Sequence, residues 1–338
     1  MPADAHLTPR VSADAHVTRR VSGDAHVTRT VPADAHLIRA AARNHGSWFR
    51  ATAAVTGGRA MRTRGLSWVA PAPDGEAMLP FPRRATRPAL DELLAWCRDH
   101  DVAGIGCWST GLEPTTRLAA RLVARGFEWG WQAHWMAIEL AALPLGDVDP
   151  RVSLATEVPE YDGYGRRLLE LTAGRFWHAV AREGGGFAGH AWAHVTGGAL
   201  GCAGVYDVYV PPRRRRRGLG RALTLAVCRA AAQAGANVAA LNATGEGELL
   251  YGALGFRSLG HGQTWWIHRA GLGAPPRPEL VAVAEAAGEG DVARLERLEP
   301  DPALLRARLP GNRLTPAEVA AEAGQQAAAE WLVSRLPA

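Results

Sequence analysis

The chain has 338 residues, a formal net charge of +5 and a hydrophobic fraction of 47%. That length is typical of two or three domains, and the composition is ordinary for a folded globular protein. No apolar run approaches the roughly 18 residues of a membrane-spanning helix, and no apolar signal-peptide core opens the chain. We therefore expect a cytoplasmic protein with no membrane partner.

The cysteines argue against a metal-binding protein, and the basic residues argue against a nucleic-acid-binding protein. Cys97, Cys107, Cys202 and Cys228 lie far apart in apolar segments, which indicates buried reduced thiols and no metal site. The run of arginines at 213–217 alone equals the net charge of +5, so the basic balance is local. A nucleic-acid-binding protein would need a broader basic face, so nucleic acid is not an expected partner.

Residues 1–40 contain a ten-residue repeat in which Asp-Ala-His recurs at 4–6, 14–16, 24–26 and 34–36. This period matches no solenoid repeat. We expect a disordered low-complexity tail, or sequence upstream of the true start.

The segment 41–147 has the pattern of a mixed α/β lobe. Its predicted strands are 50–55, 65–69, 105–108 and 128–140, and its predicted helices are 89–99 and 114–124.

The chemistry-bearing stretch begins with a predicted strand at Val205–Val210, which Pro211 and Pro212 end. The arginine run follows, then Gly218-Leu219-Gly220 and a predicted helix at 221–234. Glycines permit close approach of a ligand to the backbone, and a helix N-terminus favours anions. The sequence lacks the Gly-Lys-Ser/Thr of a nucleoside-triphosphate loop and the third glycine of a dinucleotide fingerprint.

The loop instead has the pattern Arg/Gln-x-x-Gly-x-Gly at 215–220, directly after a predicted strand that ends in Tyr-Val-x-Pro. Downstream come a predicted strand at 237–241, Asn242, and Tyr251 before Leu-Gly-Phe at 254–256. This combination resembles the acetyl-CoA half-sites of the GCN5-related N-acetyltransferase (GNAT) family. The resemblance covers residues 150–271 and implies an α/β fold of the acyl-CoA N-acyltransferase type, with a mixed, mostly antiparallel sheet flanked by helices. The family usually has glycine where Arg216 stands.

The resemblance implies that acetyl-CoA is the co-substrate. The loop would bind the pyrophosphate, main-chain groups of the motif strand would bind pantetheine, and the Val210 N–H would face the thioester oxygen. The cofactor-binding candidates are Val208, Tyr209, Val210, Arg215, Arg216, Arg217, Gly218, Leu219, Gly220, Arg221 and Asn242. Asn242 has the alternative role of capping the following helix.

The catalytic candidates are Tyr251 and Asp207. A phenol is protonated at neutral pH, so Tyr251 can protonate the leaving thiolate; alternatively it is a core tyrosine. Asp207 shares one strand face with Tyr209 by alternation and can accept a proton, or else make a structural hydrogen bond. His190 and His194 are weaker candidates for the base.

The first lobe repeats the element order of the central domain about 130 residues earlier. When the chain is aligned with itself at an offset of 131 residues, Arg87-Pro88-Ala89 matches Gly218-Leu219-Gly220. Both glycines are therefore absent from the first lobe, and the proline lacks the backbone N–H that could bind a ligand. We interpret 41–147 as a degenerate acetyltransferase-like lobe, or as a coincidental resemblance, without chemistry of its own.

A Pro-rich linker at 272–278 precedes a tail, 279–338, with an internal period of 36 residues. The tail resembles ankyrin repeats, although Ala317 and Glu318 replace the family's Leu-His; the alternative is a plain pair of helical hairpins. We expect it to pack on the catalytic domain and to offer a surface to a protein partner.

The function that these patterns favour is transfer of an acetyl group from acetyl-CoA to a primary amine by direct attack, with a small-molecule or protein acceptor. The alternatives are an acyl-CoA-binding regulatory or sensor protein without turnover, and a nucleic-acid-binding protein that uses the arginine run.

Overall fold

The structure is a computed structural model and describes residues 34–336 with short gaps. The gaps are 73, 113–114, 145, 147, 156–163, 172–173 and 199–200. The first 33 residues of the predicted disordered tail lie outside the described residues.

The first described element is a helix, α1 (Ala35–Thr56). Residues 35–40 of the predicted tail and the predicted strand at 50–55 both belong to this helix, so both predictions are wrong there. The segment is rich in alanine, the residue with the highest helix propensity, and its apolar positions are buried on one face. The helix ends at Gly57, whose φ of 93° is the left-handed conformation that glycine permits.

The remaining elements follow in chain order. The strands are β1 (Arg59–Thr63), β2 (Leu66–Ala70), β3 (Glu76–Pro80), β4 (Gly104–Trp108), β5 (Glu128–Trp129), β6 (His134–Glu139), β7 (Val152–Leu154), β8 (Phe176–Glu183), β9 (Gly186–Thr196), β10 (Cys202–Tyr209), β11 (Val238–Ala243), β12 (Arg257–His261) and β13 (Thr264–His268). The further helices are α2 (Arg87–Asp99), α3 (Thr116–Val123), α4 (Tyr164–Leu171), α5 (Leu219–Gln233), α6 (Gly245–Ala253), α7 (Arg269–Leu272), α8 (Pro278–Glu289), α9 (Val292–Leu298), α10 (Pro302–Arg306), α11 (Pro316–Glu322) and α12 (Gln326–Ser334).

The strands form two sheets that exchange their last strands. The first has the order β1-β2-β3-β4-β13-β5, and the second has the order β12-β6-β11-β10-β9-β8-β7. Strand β6 from the first half therefore lies between β11 and β12, and β13 from the second half lies between β4 and β5. The single strand predicted at 128–140 is two strands in different sheets.

The second sheet is mostly antiparallel, and the α5 crossover makes β10 and β11 its parallel pair. Ala203 and Val205 belong to the core under α5, whereas Cys202 belongs to the core under α1. Because successive residues of a strand point to opposite faces, α5 and α1 cover opposite faces of this sheet. The predicted fold class, a mixed α/β sheet flanked by helices, is confirmed.

The C-terminal helices pack on the first sheet's helices. Leu280 and Val283 of α8 share one core with Leu93 of α2 and Leu122 of α3. The tail also shares this core with Ile267 of β13, which belongs to the segment 150–271, so it packs on the first lobe together with the last strand of the catalytic segment. Among the described helices, none is both long enough and apolar enough to cross a bilayer.

Candidate functional site

The second sheet opens between β10 and β11. The two strands pair only from Cys202–Gly204 to Val238–Ala240, and beyond Gly204 no further pairing joins them. The edge of Val205–Tyr209 that faces β11 is thus left without a sheet partner. Unpaired main-chain donors and acceptors at that edge are available to an extended ligand.

A β-bulge lies within this open part of β10. Between Tyr206 and Tyr209, β10 advances three residues while β9 advances two, from Trp192 to His190. Asp207, at the bulge, has a left-handed φ of 50°. Such a bulge re-aims a side chain and breaks the simple alternation assumed from the sequence.

The loop after β10 forms the predicted anion cradle. Arg216 and Gly218 both have left-handed backbone, with φ of 64° and 80°, a conformation that glycine adopts without steric cost. Gly218 precedes the first turn of α5, so the N–H groups of Leu219, Gly220 and Arg221 have no earlier helical carbonyl to bind. A Cβ atom on Gly218 would meet nothing within 4 Å, so the cradle is open on that side. This geometry fits a pyrophosphate.

The arginines of the run differ in how they are engaged. Arg214 and Arg217 pair with Glu183 at 3.0 and 3.3 Å, and Arg215 pairs with Glu246 at 3.3 Å. Burial tends to raise the pKa of Glu183, but hydrogen bonds from Arg151 and Arg214 hold it below its usual value.

The other predicted cofactor arginines are Arg216 and Arg221. Both are exposed and form no ion pair with any described residue. Their charges are therefore available to phosphate.

Helix α6 brings Tyr251 beside the loop. Leu250 of α6 lies 3.1 Å from the position of a Cβ on Gly220, so α6 packs against the first turn of α5. Tyr251 is 8% exposed, and burial raises its pKa to about 12. No hydrogen bond joins its hydroxyl to another described residue, so the proton is available to a ligand.

The pantetheine candidates lie along the open edge. Val208 and Val210 are half-buried, Tyr209 is exposed, and the Val210 carbonyl accepts a hydrogen bond of 3.1 Å from Arg215. Asn242 lies opposite on β11. The helix-cap alternative for Asn242 is wrong, because the hydroxyl of Thr244 caps α6.

Asp207 belongs to a polar chain that runs into the sheet. Its carboxylate is 3.6 Å from Nε2 of His190, and Nδ1 of His190 is 3.2 Å from Nε2 of His178. Burial lowers the pKa of His190, and the charge of Asp207 partly opposes that shift. His194 instead contacts the Ser47 hydroxyl and the Arg175 carbonyl, so both its ring nitrogens are engaged in the fold.

No motif in the sequence indicates the contribution of α1. Asn44 and His45 are buried against the open end of the sheet, 162 and 197 positions away from their partners Tyr206 and Asn242. Together with β10 and β11 they enclose a cavity of about 100 Å³. Its lining residues are Ala41, His45, Trp135, Gly204, Val205, Tyr206, Asp207, Ala240, Leu241 and Asn242.

His45 is the only ring nitrogen base among those lining residues. The side-chain amide of Asn242 lies 3.0 Å from its Nδ1. Five aromatic rings surround the imidazole, and burial lowers its pKa to about 3, so it is neutral at physiological pH. The surrounding rings are Phe49, Phe81, Trp108, Trp135 and Tyr206.

Known proteins with similar structure include several acetyltransferases. The GCN5-related N-acetyltransferase from Kribbella flavida is 18% identical, over 67% of this chain and 95% of that chain, with a TM-score of 0.49. The tandem GNAT protein from the clavulanic acid biosynthesis pathway is 18% identical, over 64% and 82%, with a TM-score of 0.44. A putative GNAT acetyltransferase from Novosphingobium aromaticivorans is 19% identical, over 67% and 97%, with a TM-score of 0.41.

No curated protein matches the sequence. Residues 147–269 match the model of the acetyltransferase (GNAT) family. That segment begins just before β7 and ends just after β13, so it includes the opened strands, the glycine loop and the helix of Tyr251. The match supports a GNAT acetyltransferase domain over these residues of the chain.

Proposed function

We propose that the chain is an N-acetyltransferase that moves the acetyl group of acetyl-CoA to a primary amine. The observation that supports this most is the order of three features along one path. The sheet opens at Gly204, the glycine cradle follows at Gly218, and the helix of Tyr251 packs against that cradle. An extended thioester with an anionic end needs each of these in that order.

The loop would hold the pyrophosphate through the first backbone N–H groups of α5, with Arg216 and Arg221 adding charge. The open edge of Val208–Val210 would hold the pantetheine arm through main-chain hydrogen bonds, and the Val210 N–H would face the thioester oxygen. Asn242 faces this edge from β11. When bound, acetyl-CoA supplies an activated acyl group with a thiolate leaving group.

The amine must lose a proton before it can act as a nucleophile. Asp207, half exposed and 3.6 Å from His190, would draw the ammonium form in and accept that proton. Tyr251 would give its proton to the leaving thiolate; a phenol whose pKa burial raises to about 12 stays protonated until a strong base forms beside it.

The decisive experiment is a thiol-release assay with acetyl-CoA across a panel of amines, run beside calorimetric titration of acetyl-CoA. Binding together with amine-dependent thiol release supports the proposal. Binding without release from any amine would favour the alternative, an acyl-CoA-binding regulatory or sensor protein. Absence of binding would contradict both.

The nucleic-acid alternative has less support, because the ion pairs of Arg214, Arg215 and Arg217 with glutamates reduce the charge that the run offers. A steep salt dependence of DNA binding would favour it. The ankyrin-like character of residues 279–338, a protein partner for that tail and a cytoplasmic location stay predictions.

A further inference from the structure

We propose that the acceptor amine binds in the cavity between α1 and the open strands, and that His45 takes a proton from the amine as it is acylated. The acceptor would be a small primary monoamine with an apolar body and no carboxylate. This inference rests on the proposed acetyl transfer and names the substrate class and a further catalytic residue for it.

Helix α1 is fixed at this position by buried hydrogen bonds. The Asn44 amide donates to the carbonyls of His194 and Cys202 at 2.8 and 2.9 Å, and the Tyr206 hydroxyl donates to the Asn44 side-chain oxygen. A Cβ at position 204 would lie 2.1 Å from that oxygen, so only glycine permits this approach. His45, the next residue of α1, is thereby positioned over the end of the pairing between β10 and β11.

The cavity lies where the chemistry requires the acceptor. Its lining includes Val205–Asp207 on one strand and Leu241 and Asn242 on the other, at the inner end of the gap that begins beside the cradle. Helix α5 covers the opposite face of the sheet, so an amine that reaches the gap from the α1 face does not cross the cradle. The two reactants therefore have separate approaches to one point.

The lining selects the acceptor class. A volume of about 100 Å³ equals roughly three water molecules' share of liquid volume, which suits an alkylamine of a few carbons. Asp207 is the only lining residue with a charged side chain at neutral pH, so an ammonium finds a partner there and a carboxylate finds none. A polyamine would leave further charges without partners against Trp135 and Leu241.

The contact between Asn242 and Nδ1 of His45 leaves Nε2 of His45 as a hydrogen-bond acceptor. If the amide oxygen accepts from Nδ1–H of His45, Nε2 is left with its lone pair. That orientation gives a partner to Oδ1 of Asn242, which is otherwise buried without one. No hydrogen bond joins Nε2 to another described residue.

The proton balance of the step is closed. The incoming ammonium gives one proton to Asp207 and thence to solvent, which leaves the neutral amine. The amine nitrogen then bonds to the acyl carbon, the carbon–sulfur bond breaks, and the second nitrogen proton goes to Nε2 of His45. The sulfur takes its proton from Tyr251, which solvent then restores, and His45 releases its proton to solvent and becomes neutral again. One acetamide, one free thiol and one net proton leave the site.

The test compares the wild-type protein with His45→Gln, which keeps a polar group and removes the base. We expect single-turnover thiol release with n-butylamine to fall by about 10²–10⁴-fold, while calorimetry shows unchanged acetyl-CoA affinity. The matched control is Arg43→Gln, because Arg43 lies exposed on the same helix and receives the same substituent. His45→Phe, which suits the aromatic surroundings, should show the same loss if the glutamine variant does not fold.

A second readout is independent of turnover. In the NMR spectrum of the wild-type protein without acetyl-CoA, n-butylamine should shift the imidazole resonances of His45, which the His45 variants identify. Spermidine and glycine should shift them much less and should be poor acceptors. Wild-type turnover that both His45 variants retain, or a preference for spermidine or glycine, would overturn this inference and leave acetyl transfer standing. A wild-type protein that releases no thiol with any amine overturns both.

Discussion

The buried guanidinium of Arg125 donates a hydrogen bond of 2.6 Å to the buried carboxylate of Glu285, which lies 160 positions further along the chain. Arg87 and Arg294 contact the same carboxylate, so one acid on α8 joins the C-terminal tail to the first lobe. Burial tends to raise the pKa of Glu285, but hydrogen bonds from Arg125 and Arg87 hold it below its usual value.

Glu285→Ala should therefore be strongly destabilising, since it leaves the buried Arg125 charge beside Arg87 and Arg294 with only the Asp91 carboxylate to pair with it. Removal of one partner of a buried pair typically costs about 3–5 kcal/mol. The control is Glu92→Ala, which breaks the exposed Arg64–Glu92 pair and should cost less than about 1 kcal/mol. Urea unfolding measures both; equal losses would contradict a special role for the buried site.

The same contact bears on how many cofactors bind. Arg87 occupies the position that corresponds to Gly218 of the cradle, and a carboxylate already lies against it at the start of α2. We expect calorimetry to give one acetyl-CoA for each chain. A stoichiometry of two would contradict the interpretation of the first lobe as degenerate.

Gly218→Val should abolish measurable acetyl-CoA binding, because Gly218 has a φ of 80° and its backbone lines the cradle. Gly235→Val is the matched control, since Gly235 has a φ of 88°, nothing within 4 Å of its Cβ position, and lies at the other end of α5. Both variants strain the backbone, but the control should keep its affinity. Similar affinities in two folded variants would show that the loop does not hold the ligand.

The local features of the site were predictable from sequence, and the non-local ones were not. Strand β10, the Gly218 turn and helix α5 follow from β-branched residues, proline, glycine and helical periodicity, and the structure contains them. The bulge at Asp207 depends on a left-handed φ that the residue types of this strand do not predict. The exchange of β6 and β13 depends on pairing between distant segments, which local patterns do not encode.

Helix α1 was missed for a different reason. The decapeptide repeat extends to residues 34–36, so the start of the helix shares the pattern of the tail. His45 has no motif around it, and only the docking of Asn44 against β10 brings it to the cavity.

Stability should decrease as pH falls below about 6.5. Burial lowers the pKa values of His45 and His178 to about 3 and that of His194 to about 4, whereas the unfolded values lie near 6.5. In that interval the unfolded chain binds protons that the folded protein does not, so the free energy of unfolding rises with pH, by at most about 1.4 kcal/mol per pH unit for each ring. Urea unfolding at about pH 7 and about pH 5 measures the slope, which His45→Phe should reduce. A flat dependence would contradict three neutral buried rings.

Tyr251→Phe isolates the proposed acid, because it removes the hydroxyl and keeps the ring that packs on Phe256. That hydroxyl has no hydrogen bond to any described residue, so the melting temperature and the acetyl-CoA affinity should barely change. The thiolate must then take its proton from water, and single turnover should fall by about 10²–10⁴-fold. A core tyrosine predicts the opposite pattern, with some loss of stability and unchanged turnover for each folded molecule. Measurement of the melting temperature and the single-turnover rate on one preparation separates the two, and a phenylalanine variant with wild-type turnover would assign Tyr251 to the core.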